Sequence, residues 1–354
     1  MKKVKVIIFC VAVFLCFAAC ARQKANDPSD FDIMDHGTWI EITGYRGVSN
    51  TVVIPNRINK KPVTGIGNEA FMGRRERQEQ RLPGGAISIR ITYHGTLTSV
   101  IIPSSVIEIG NAAFCGNDLT NVTIPDSVTI IGTQAFMANE LTSIKIPSSV
   151  KAIGDSSFRD NKLTSITIPN GVTEIGSAAF YNNQITIAII PDSVTKIGSH
   201  AFYNNQLTNA TIPNSVIEIG MMAFARNPLI NFSVASVNTA FVVKNSFLLS
   251  KDEKQLLFNF GSDSNVIIPD SVNVIFSNAF SGRKLENVTI PSSVGRIDFQ
   301  TFEYSQLTSI TFDGRIVFVD VWTAGDDGRS YMNLRQAFRG PGKYLQSSGV
   351  WRRE

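Results

Sequence analysis

A 22-residue period runs through most of this 354-residue chain and constrains its fold more than any other feature. The consensus is L-x-x-I-x-I-P-x-S-V-x-x-I-G-x-x-A-F, followed by four mostly polar residues. Proline, glycine and phenylalanine keep this step, and the phenylalanines are Phe114, Phe136, Phe158, Phe180, Phe202 and Phe224, resuming at Phe280 and Phe302. Chance does not produce such a pattern, and a fixed period of this length predicts a repeat architecture.

Residues 163–184, "LTSITIPNGVTEIGSAAFYNNQ", show what one unit predicts. The first residues alternate apolar and polar side chains, as a strand with one buried face does, and a proline ends that strand. A second short extended stretch follows, and Gly176 permits a sharp bend. Ser177 is a candidate helix N-cap, so S-A-A-F predicts one helical turn that places Phe180 in the interior. The asparagines close the unit because asparagine tolerates positive φ.

A single unit of this kind does not fold alone. Its inward side chains contribute about 9–18 kcal/mol if fully buried, whereas ordering its backbone costs roughly 22–44 kcal/mol. Stacked units cover each other's open faces and add backbone hydrogen bonds between coils. The sequence therefore predicts a β-rich α/β solenoid of 22-residue units, with short strands, single helical turns and a parallel sheet along one side.

The P-x-S-V-x-x-I-G-x-x-A-F core resembles the BspA-like, or Treponema-type, leucine-rich repeat family of bacterial surface proteins. The likeness extends from about Phe31 to Phe312. It implies an N-terminal hairpin and first coil in the residues before Phe71, and a longer variant repeat in "FSVASVNTAFVVKNSFLLSKDEKQLLFNF", residues 232–260. The family often has cysteine after the repeat phenylalanine, whereas most units of this chain have another residue there and only Phe114 is followed by cysteine, Cys115, so a redox role is not indicated.

These observations predict four consecutive segments, the third of which contains two irregular regions. Residues 1–19 are predicted to be a lipoprotein signal peptide, residues 20–30 a flexible tether, and residues 31–318 the leucine-rich repeat solenoid. Within the solenoid, residues 73–96 form an irregular insertion, read as an exposed loop followed by a strand, and residues 229–263 form the long variant repeat. Residues 319–354 are predicted to be a C-terminal hairpin cap over the last coil, with a binding epitope as the alternative.

The N-terminus "MKKVKVIIFCVAVFLCFAAC" has a basic start, an apolar run and small residues before Cys20, as secretory signals do. Its "FAAC" ending resembles a bacterial lipobox, which implies lipidation of Cys20 and attachment to a membrane through that lipid. The alternatives are plain secretion and an uncleaved anchor. Removing residues 1–19 takes away three lysines and no acid, so the net charge falls from +4 to +1. Nucleic-acid binding loses its main support.

No catalytic or metal-binding motif emerges from the chain. The three histidines, His36, His94 and His200, have no second ligand at metal spacing, and no HExxH, GxSxG or phosphate-binding loop occurs. Cys115 is interpreted as a partly exposed structural thiol without a base beside it. "AGDDGRS" near residue 324 is interpreted as a turn rather than a cation site. We therefore expect no enzyme activity and no cofactor.

The repeated surface is the remaining candidate for function. The outward residues of the first strand are polar and regular, which suits a broad contact surface, although threonine also simply favours strands. Ile187 and Ile189 add apolar groups to one coil, as a partner patch or as local repacking. The candidate binding residues are Thr142, Ser143, Lys145, Thr164, Ser165, Thr167, Ile187 and Ile189.

These observations predict an exported bacterial lipoprotein in the cell envelope, on the outer membrane or cell surface, whose solenoid binds proteins without catalysis. The family resemblance implies host extracellular-matrix or receptor proteins as partners and adhesion as the role. The alternative is a structural, self-associating periplasmic envelope protein.

Overall fold

The computed structural model describes residues 24–81, 87–298, 300–302, 305–313, 317–318, 322–323, 332–333, 342–347 and 350–354. The chain winds into a β-solenoid of about 12 turns, which confirms the predicted architecture. Within the described residues the only helical element is a 3-10 turn at Pro28–Asp30. The α/β description and its helical turns are therefore not confirmed, and the described part of the chain is a β-solenoid.

The N-terminal coil begins with an antiparallel hairpin, β1 (Phe31–Asp35) and β2 (Ile40–Tyr45). It continues through β3 (Thr51–Val53), β4 (Arg57–Ile58) and β5 (Lys61–Ile66), and β2 pairs in parallel with β5. Asn26, which lies within the predicted tether, donates its N–H to the Val53 carbonyl and accepts the Val53 N–H on its side chain. The folded part therefore begins before residue 31.

The insertion is a β-hairpin rather than a loop followed by a strand. β6 (Arg74–Arg81) runs antiparallel to β7 (Ile87–His94) over eight residue pairs. The stretch read as a loop is charged and lacks apolar alternation, but its backbone groups find partners in the neighbouring strand. Hydrogen bonds between main chains do not depend on side-chain polarity, so a polar segment such as β6 can form a strand that its composition does not predict.

The first strands of successive coils form short parallel sheets along one side. Strand pairing is continuous from β3 through β8 (Ser99–Ile101) to β10 (Asn121–Thr123) and is then interrupted, because residues 141–146 form no strand. After the interruption, each first strand pairs in parallel with the first strand of the coil before it or after it. In chain order the first strands are β8 (Ser99–Ile101), β10 (Asn121–Thr123), β13 (Ser165–Thr167), β15 (Ile187–Ile189), β17 (Asn209–Ile212), β19 (Asn231–Val234), β23 (Asn265–Ile267), β25 (Asn287–Ile290) and β27 (Ser309–Phe312).

The second strands form a longer parallel sheet that joins β5 to the strands β9 (Glu108–Ile109), β11 (Ile130–Ile131), β12 (Ala152–Ile153), β14 (Glu174–Ile175), β16 (Lys196–Ile197) and β18 (Glu218–Ile219). The sheet ends at β18. Paired residues lie one repeat apart, as Ile175 lies beside Ile197, so the coils from β9 to β16 bury the same isoleucine, whereas Ile219 at the end of the sheet is only partly buried.

A corner joins each second strand to the next coil, and it is not the helical turn that S-A-A-F predicted. Ala178 has a φ of 54°, in the left-handed region. Its N–H bonds to Ser199 O at 2.8 Å, and the N–H of Phe180 bonds to Ala201 O at 2.8 Å, both in the following coil. A helix would need these donors within its own turn, so coil-to-coil pairing overrides local helix propensity. Phe180 is nevertheless fully buried, as predicted.

The glycine before each corner is required by close packing rather than by a bend. A Cβ on Gly176 would lie 2.6 Å from the Asp155 nitrogen and 2.7 Å from the Ile153 carbonyl oxygen, both in the preceding coil. Backbones of neighbouring coils meet here with no room for a side chain, which explains why the repeat keeps glycine at this position.

A column of stacked phenylalanines fills the core. Neighbouring rings from Phe114 to Phe224 have centroids 5.3–5.6 Å apart and interplanar angles of 4–15°. Each coil therefore covers the apolar face of the one before it, as the energetics of a single unit required.

The regular column stops after Phe224, where the long variant repeat begins. A new sheet starts with the antiparallel strands β20 (Phe241–Lys244), β21 (Phe247–Ser250) and β22 (Gln255–Asn259). It continues in parallel through β24 (Val274–Ile275), β26 (Arg296–Ile297) and β28 (Val317–Phe318). The buried residues accordingly fall into two main clusters, the second built around Phe280 and Phe302.

The C-terminal residues return to the last coil. β31 (Gly342–Ser347) pairs antiparallel with β27 and with β32 (Val350–Arg353), after a small pair of β29 (Trp322–Thr323) and β30 (Met332–Asn333). Tyr344 is buried against the second core cluster. Phe338 and the "AGDDGRS" segment lie outside the described residues.

Candidate binding surfaces

The outward side chains of the first strands, together with those of residues 141–146 at the same place in their coil, form one side of the solenoid, called the first-strand face. All the predicted binding residues lie on it and are exposed. They belong to three successive coils: Thr142, Ser143 and Lys145 in the first, Thr164, Ser165 and Thr167 in the second, and Ile187 and Ile189 in the third. The 22-residue step therefore does bring these residues together on one surface.

Ile187 and Ile189 form an exposed apolar pair on this face. Parallel pairing of β13 with β15 sets them beside two polar residues of the preceding coil, and they are 59% and 55% exposed. Corresponding positions of the following coil are also polar and exposed. The polar residues that flank the pair are Ser165, Thr167, Asn209 and Thr211. An apolar pair within a polar border has the layout of the centre and rim of a protein interface.

A second candidate surface, the aromatic patch, lies on the corners of four coils and consists of Arg159, Tyr181, His200, Tyr203 and Arg226. The Tyr181 and Tyr203 rings are stacked with centroids 4.9 Å apart. The Arg159 guanidinium lies 4.5 Å from the Tyr181 centroid, and that of Arg226 lies 5.6 Å from the Tyr203 centroid. Aromatic rings held between cations form a rigid surface of the type enriched at interfaces.

The electrostatics of this patch disfavour a further positive charge. Burial lowers the pKa of His200, and the nearby positive charge of Arg159 lowers it further. The imidazole lies against the Tyr203 ring, with centroids 5.4 Å apart. His200, interpreted from the sequence as a surface or filler residue, is thus a half-buried member of the aromatic patch that favours its neutral form.

Cys115 is buried, only 1% exposed, which corrects the expectation of a partly exposed thiol. It packs with Ala112 and Met137, and Tyr93 of the insertion hairpin packs against this cluster. Burial raises the pKa of the Cys115 thiol, and it raises the pKa of Tyr93 to about 12. The insertion covers this corner, which the sequence could not show because the hairpin lies outside the repeat.

Within the described part of the chain, no three or more histidine, cysteine or acidic side chains converge as a metal site. None of its helices is long and apolar enough to cross a membrane. Cys20 and the predicted signal peptide lie outside the described residues, so lipidation stays a prediction.

Sequence reasoning missed the aromatic patch. The signal was present: tyrosine follows the repeat phenylalanine in two neighbouring units, at Tyr181 and Tyr203, with Arg159 one unit earlier. Residues 22 apart lie side by side in the solenoid, so side chains at one position of successive repeats form a line of neighbours on the surface.

The chain matches the family model of the BspA type leucine rich repeat region, in six copies, over residues 45–158, 86–206, 129–252 and 252–321. No curated protein sequence matches it significantly.

Several solved structures share the fold. A leucine rich cell surface protein from Faecalibacterium prausnitzii A2-165 is 26% identical, with a TM-score of 0.61 over 81% of this chain and 76% of that one. The pneumococcal vaccine antigen PcpA is 21% identical, with a TM-score of 0.53 over 81% and 68%. A leucine-rich repeat protein from Bacteroides ovatus ATCC 8483 is 22% identical, with a TM-score of 0.50 over 84% and 77%. Together the repeat core, the solenoid and the family match show that this chain belongs to the BspA-type leucine-rich repeat family.

Proposed function

We propose that this protein is a non-enzymatic binding scaffold at the bacterial cell surface, which attaches to host extracellular-matrix or cell-surface proteins through its first-strand face. The observation that carries the proposal is the exposed pair Ile187 and Ile189 within a polar border. The consensus isoleucines at positions such as Ile166 and Ile175 are buried in the core, whereas these two are not. Burying them against a partner would recover apolar area that folding leaves in water.

The rigidity of the solenoid supports this role. The positions on either side of the isoleucine pair are held by backbone pairing, as between β13 and β15 and between β17 and β19. Across the second of these, Asn231 donates a side-chain hydrogen bond to Asn209 at 2.8 Å, and the Thr211 and Ser233 hydroxyl oxygens are 3.0 Å apart. A preorganised surface loses little conformational entropy when a partner binds.

The proposed location is the cell surface, with lipid at Cys20 holding the protein to the membrane. Its support is the lipobox-like "FAAC" sequence and the likeness to the Faecalibacterium cell surface protein. The two or three acyl chains of a bacterial lipoprotein suffice for stable anchoring, whereas one does not. On intact cells we expect added protease to cleave the protein and Cys20→Ala to release it. Protection from protease would favour the periplasmic alternative.

The binding test compares the wild-type protein with the double variant Ile187→Ser/Ile189→Thr, which installs the residues found one coil earlier. Immobilised collagen, laminin, fibronectin and fibrinogen serve as candidate partners, with affinity measured by surface plasmon resonance. Losing two buried isoleucine contacts removes about 2–4 kcal/mol, so the double variant should bind roughly 30–1,000-fold more weakly.

Ile107→Thr is the matched control. Ile107 is 48% exposed but lies beside the second strands, where two later coils have Thr129 and Thr173 at the same position. The control should bind like the wild-type protein. No binding to any of the four matrix proteins, or equal binding by the double variant, would refute the proposal.

A further inference from the structure

A cavity of about 350 Å³ lies where the regular column of coils stops. It is bounded on one side by the last regular corner and on the other by the variant repeat. Most of its wall is apolar, from Ile219, Met221, Met222, Phe224, Leu248 and Phe258. Its size is at the lower end of the range for ligand sites.

The backbone of the last regular corner has unused donors at this cavity. In the preceding coil the His200 N–H bonds to Met221 O at 2.9 Å, and the Phe202 N–H bonds to Ala223 O at 2.8 Å. The equivalent N–H groups are those of Met222 and Phe224. Neither has an acceptor among the described residues, because no regular coil follows them. Phe224 is buried and Met222 is half-buried, and buried N–H groups without a partner are uncommon in native proteins.

The adjoining strand β18 has unused acceptors at the same break. In the sheet, each coil donates to the carbonyls of the coil before it: the Ile217 N–H bonds to Thr195 O, and the Gly220 N–H bonds to Ile197 O. β18 pairs only with β16, and within the described chain no donor reaches the Ile217 or Ile219 carbonyl. The edge therefore presents carbonyls along β18 and N–H groups at the corner.

A buried side chain on the opposite wall adds one more acceptor. Asn278 is 3% exposed, and its Nδ2 lies 3.0 Å from the Met221 sulfur. Its Oδ1 is buried and has no hydrogen-bond partner among the described residues. Leaving such a group unsatisfied costs free energy, which a ligand that donates a hydrogen bond would recover.

We propose that this cavity binds a short extended peptide segment of a partner protein, with a large apolar side chain inserted between Phe224 and Phe258. The segment takes the place of the missing coil. Its N–H groups donate to the Ile217 and Ile219 carbonyls and to Asn278 Oδ1, and its carbonyls accept from Met222 and Phe224 N–H. Strand addition at an open edge, with a pocket for one side chain, is an established mode of peptide recognition.

A peptide fits this cavity better than a small apolar molecule does. A hydrocarbon ligand would fill the apolar volume but would leave the backbone donors and acceptors of the edge unpaired. Only a chain with alternating N–H and C=O groups satisfies both. This site goes beyond the proposed function, because it is separate from the first-strand face and takes a different ligand.

The test selects random dodecapeptides displayed on phage against the full chain, and then measures synthetic copies of the enriched peptides by fluorescence anisotropy. Ser277→Trp fills the cavity, because Ser277 is in its wall. Asn278→Gly removes the acceptor while tolerating the φ of 60° at that position. We expect enriched peptides to share one large apolar residue. Ser277→Trp should weaken their binding at least tenfold and Asn278→Gly about fivefold.

Ser177→Trp is the matched control, since Ser177 has the same corner position in a coil with neighbours on both sides, and it should bind the peptides like the wild-type protein. Ile187→Ser/Ile189→Thr should also bind them unchanged, which separates this site from the first-strand face. Circular dichroism checks that each variant folds. If Ser277→Trp does not fold, the peptide affinity of Asn278→Gly is used to test the proposal. The proposal is wrong if no apolar peptide is enriched, or if the cavity variants bind the peptides as tightly as the control. It is also wrong if only 1-anilinonaphthalene-8-sulfonate binds and Ser277→Trp abolishes that binding.

Discussion

Replacing Asn183 by alanine should destabilise the solenoid more than any surface substitution, because this side chain joins two neighbouring coils. Asn183 is 6% exposed. Its Oδ1 accepts the Leu163 N–H at 3.0 Å, and its Nδ2 donates to Phe158 O at 2.9 Å and to Phe180 O at 3.2 Å. The same arrangement recurs at Asn139, Asn161, Asn205 and Asn227.

The magnitude follows from what each partner loses. The Leu163 N–H has no other acceptor among the described residues. Asn183→Ala therefore leaves this buried donor without a hydrogen bond, at a cost of about 1–3 kcal/mol. The Phe158 and Phe180 carbonyls keep a bond from another asparagine of the column, Asn161 and Asn205 respectively. These two losses therefore cost only about 0.5–1.5 kcal/mol each. We expect the free energy of unfolding to fall by about 2–6 kcal/mol.

Urea unfolding followed by circular dichroism measures this change, with the slope of the transition checked for constancy. Gln184→Ala is the matched control: Gln184 is the next residue and is exposed, so its loss should cost less than about 0.5 kcal/mol. If Asn183→Ala and Gln184→Ala unfold at the same urea concentration, the asparagine column does not hold the coils together and the reasoning fails.

Two further predictions concern stability. Phe180→Ala should lower the free energy of unfolding by about 3–5 kcal/mol, because it leaves a cavity between rings 5.6 Å and 5.4 Å away; an unchanged urea midpoint would contradict its role in the core. The lowered pKa of His200 means that the unfolded chain binds its proton more readily than the folded one. Stability should therefore rise with pH through the window just below the ordinary histidine pKa of about 6.5, and decline as pH falls through it. His200→Gln installs the residue found at the same repeat position in Gln134. In this variant the urea midpoint should change less with pH in this window than in the wild-type protein, whereas equal pH dependence of the two proteins would contradict the assignment.

The sequence was sufficient for the architecture because its signal was periodic. Each buried position is repeated many times, so the inward placement of Phe180, Val172 and Ile175 could be inferred from one unit and extended to the array. The exposure of Ile187 and Ile189 followed from the alternation of their strand. Whether they bind a partner is a separate question that alternation does not address.

Local propensity misled at the corners and in the insertion. S-A-A-F is a good helix sequence, but the N–H groups of Ala178 and Phe180 bond to the next coil, which lies 22 residues further along the chain. The polar strand β6 similarly depends on its partner β7. In both places a hydrogen bond between distant residues outweighs the preference of the segment itself.

The sequence by itself determined that the chain is a stack of like coils, since apolar residues at a fixed period can be buried only by repetition. Tertiary structure alone decided what happens where the period fails. Among the described residues, the cavity beside Phe224, the unpaired N–H groups of its corner and the unsatisfied Oδ1 of Asn278 all lie where a regular coil is missing between β18 and β24. The sequence shows where the period is interrupted, but not which backbone groups lose their partners there, because those partners would belong to a coil that the chain does not form.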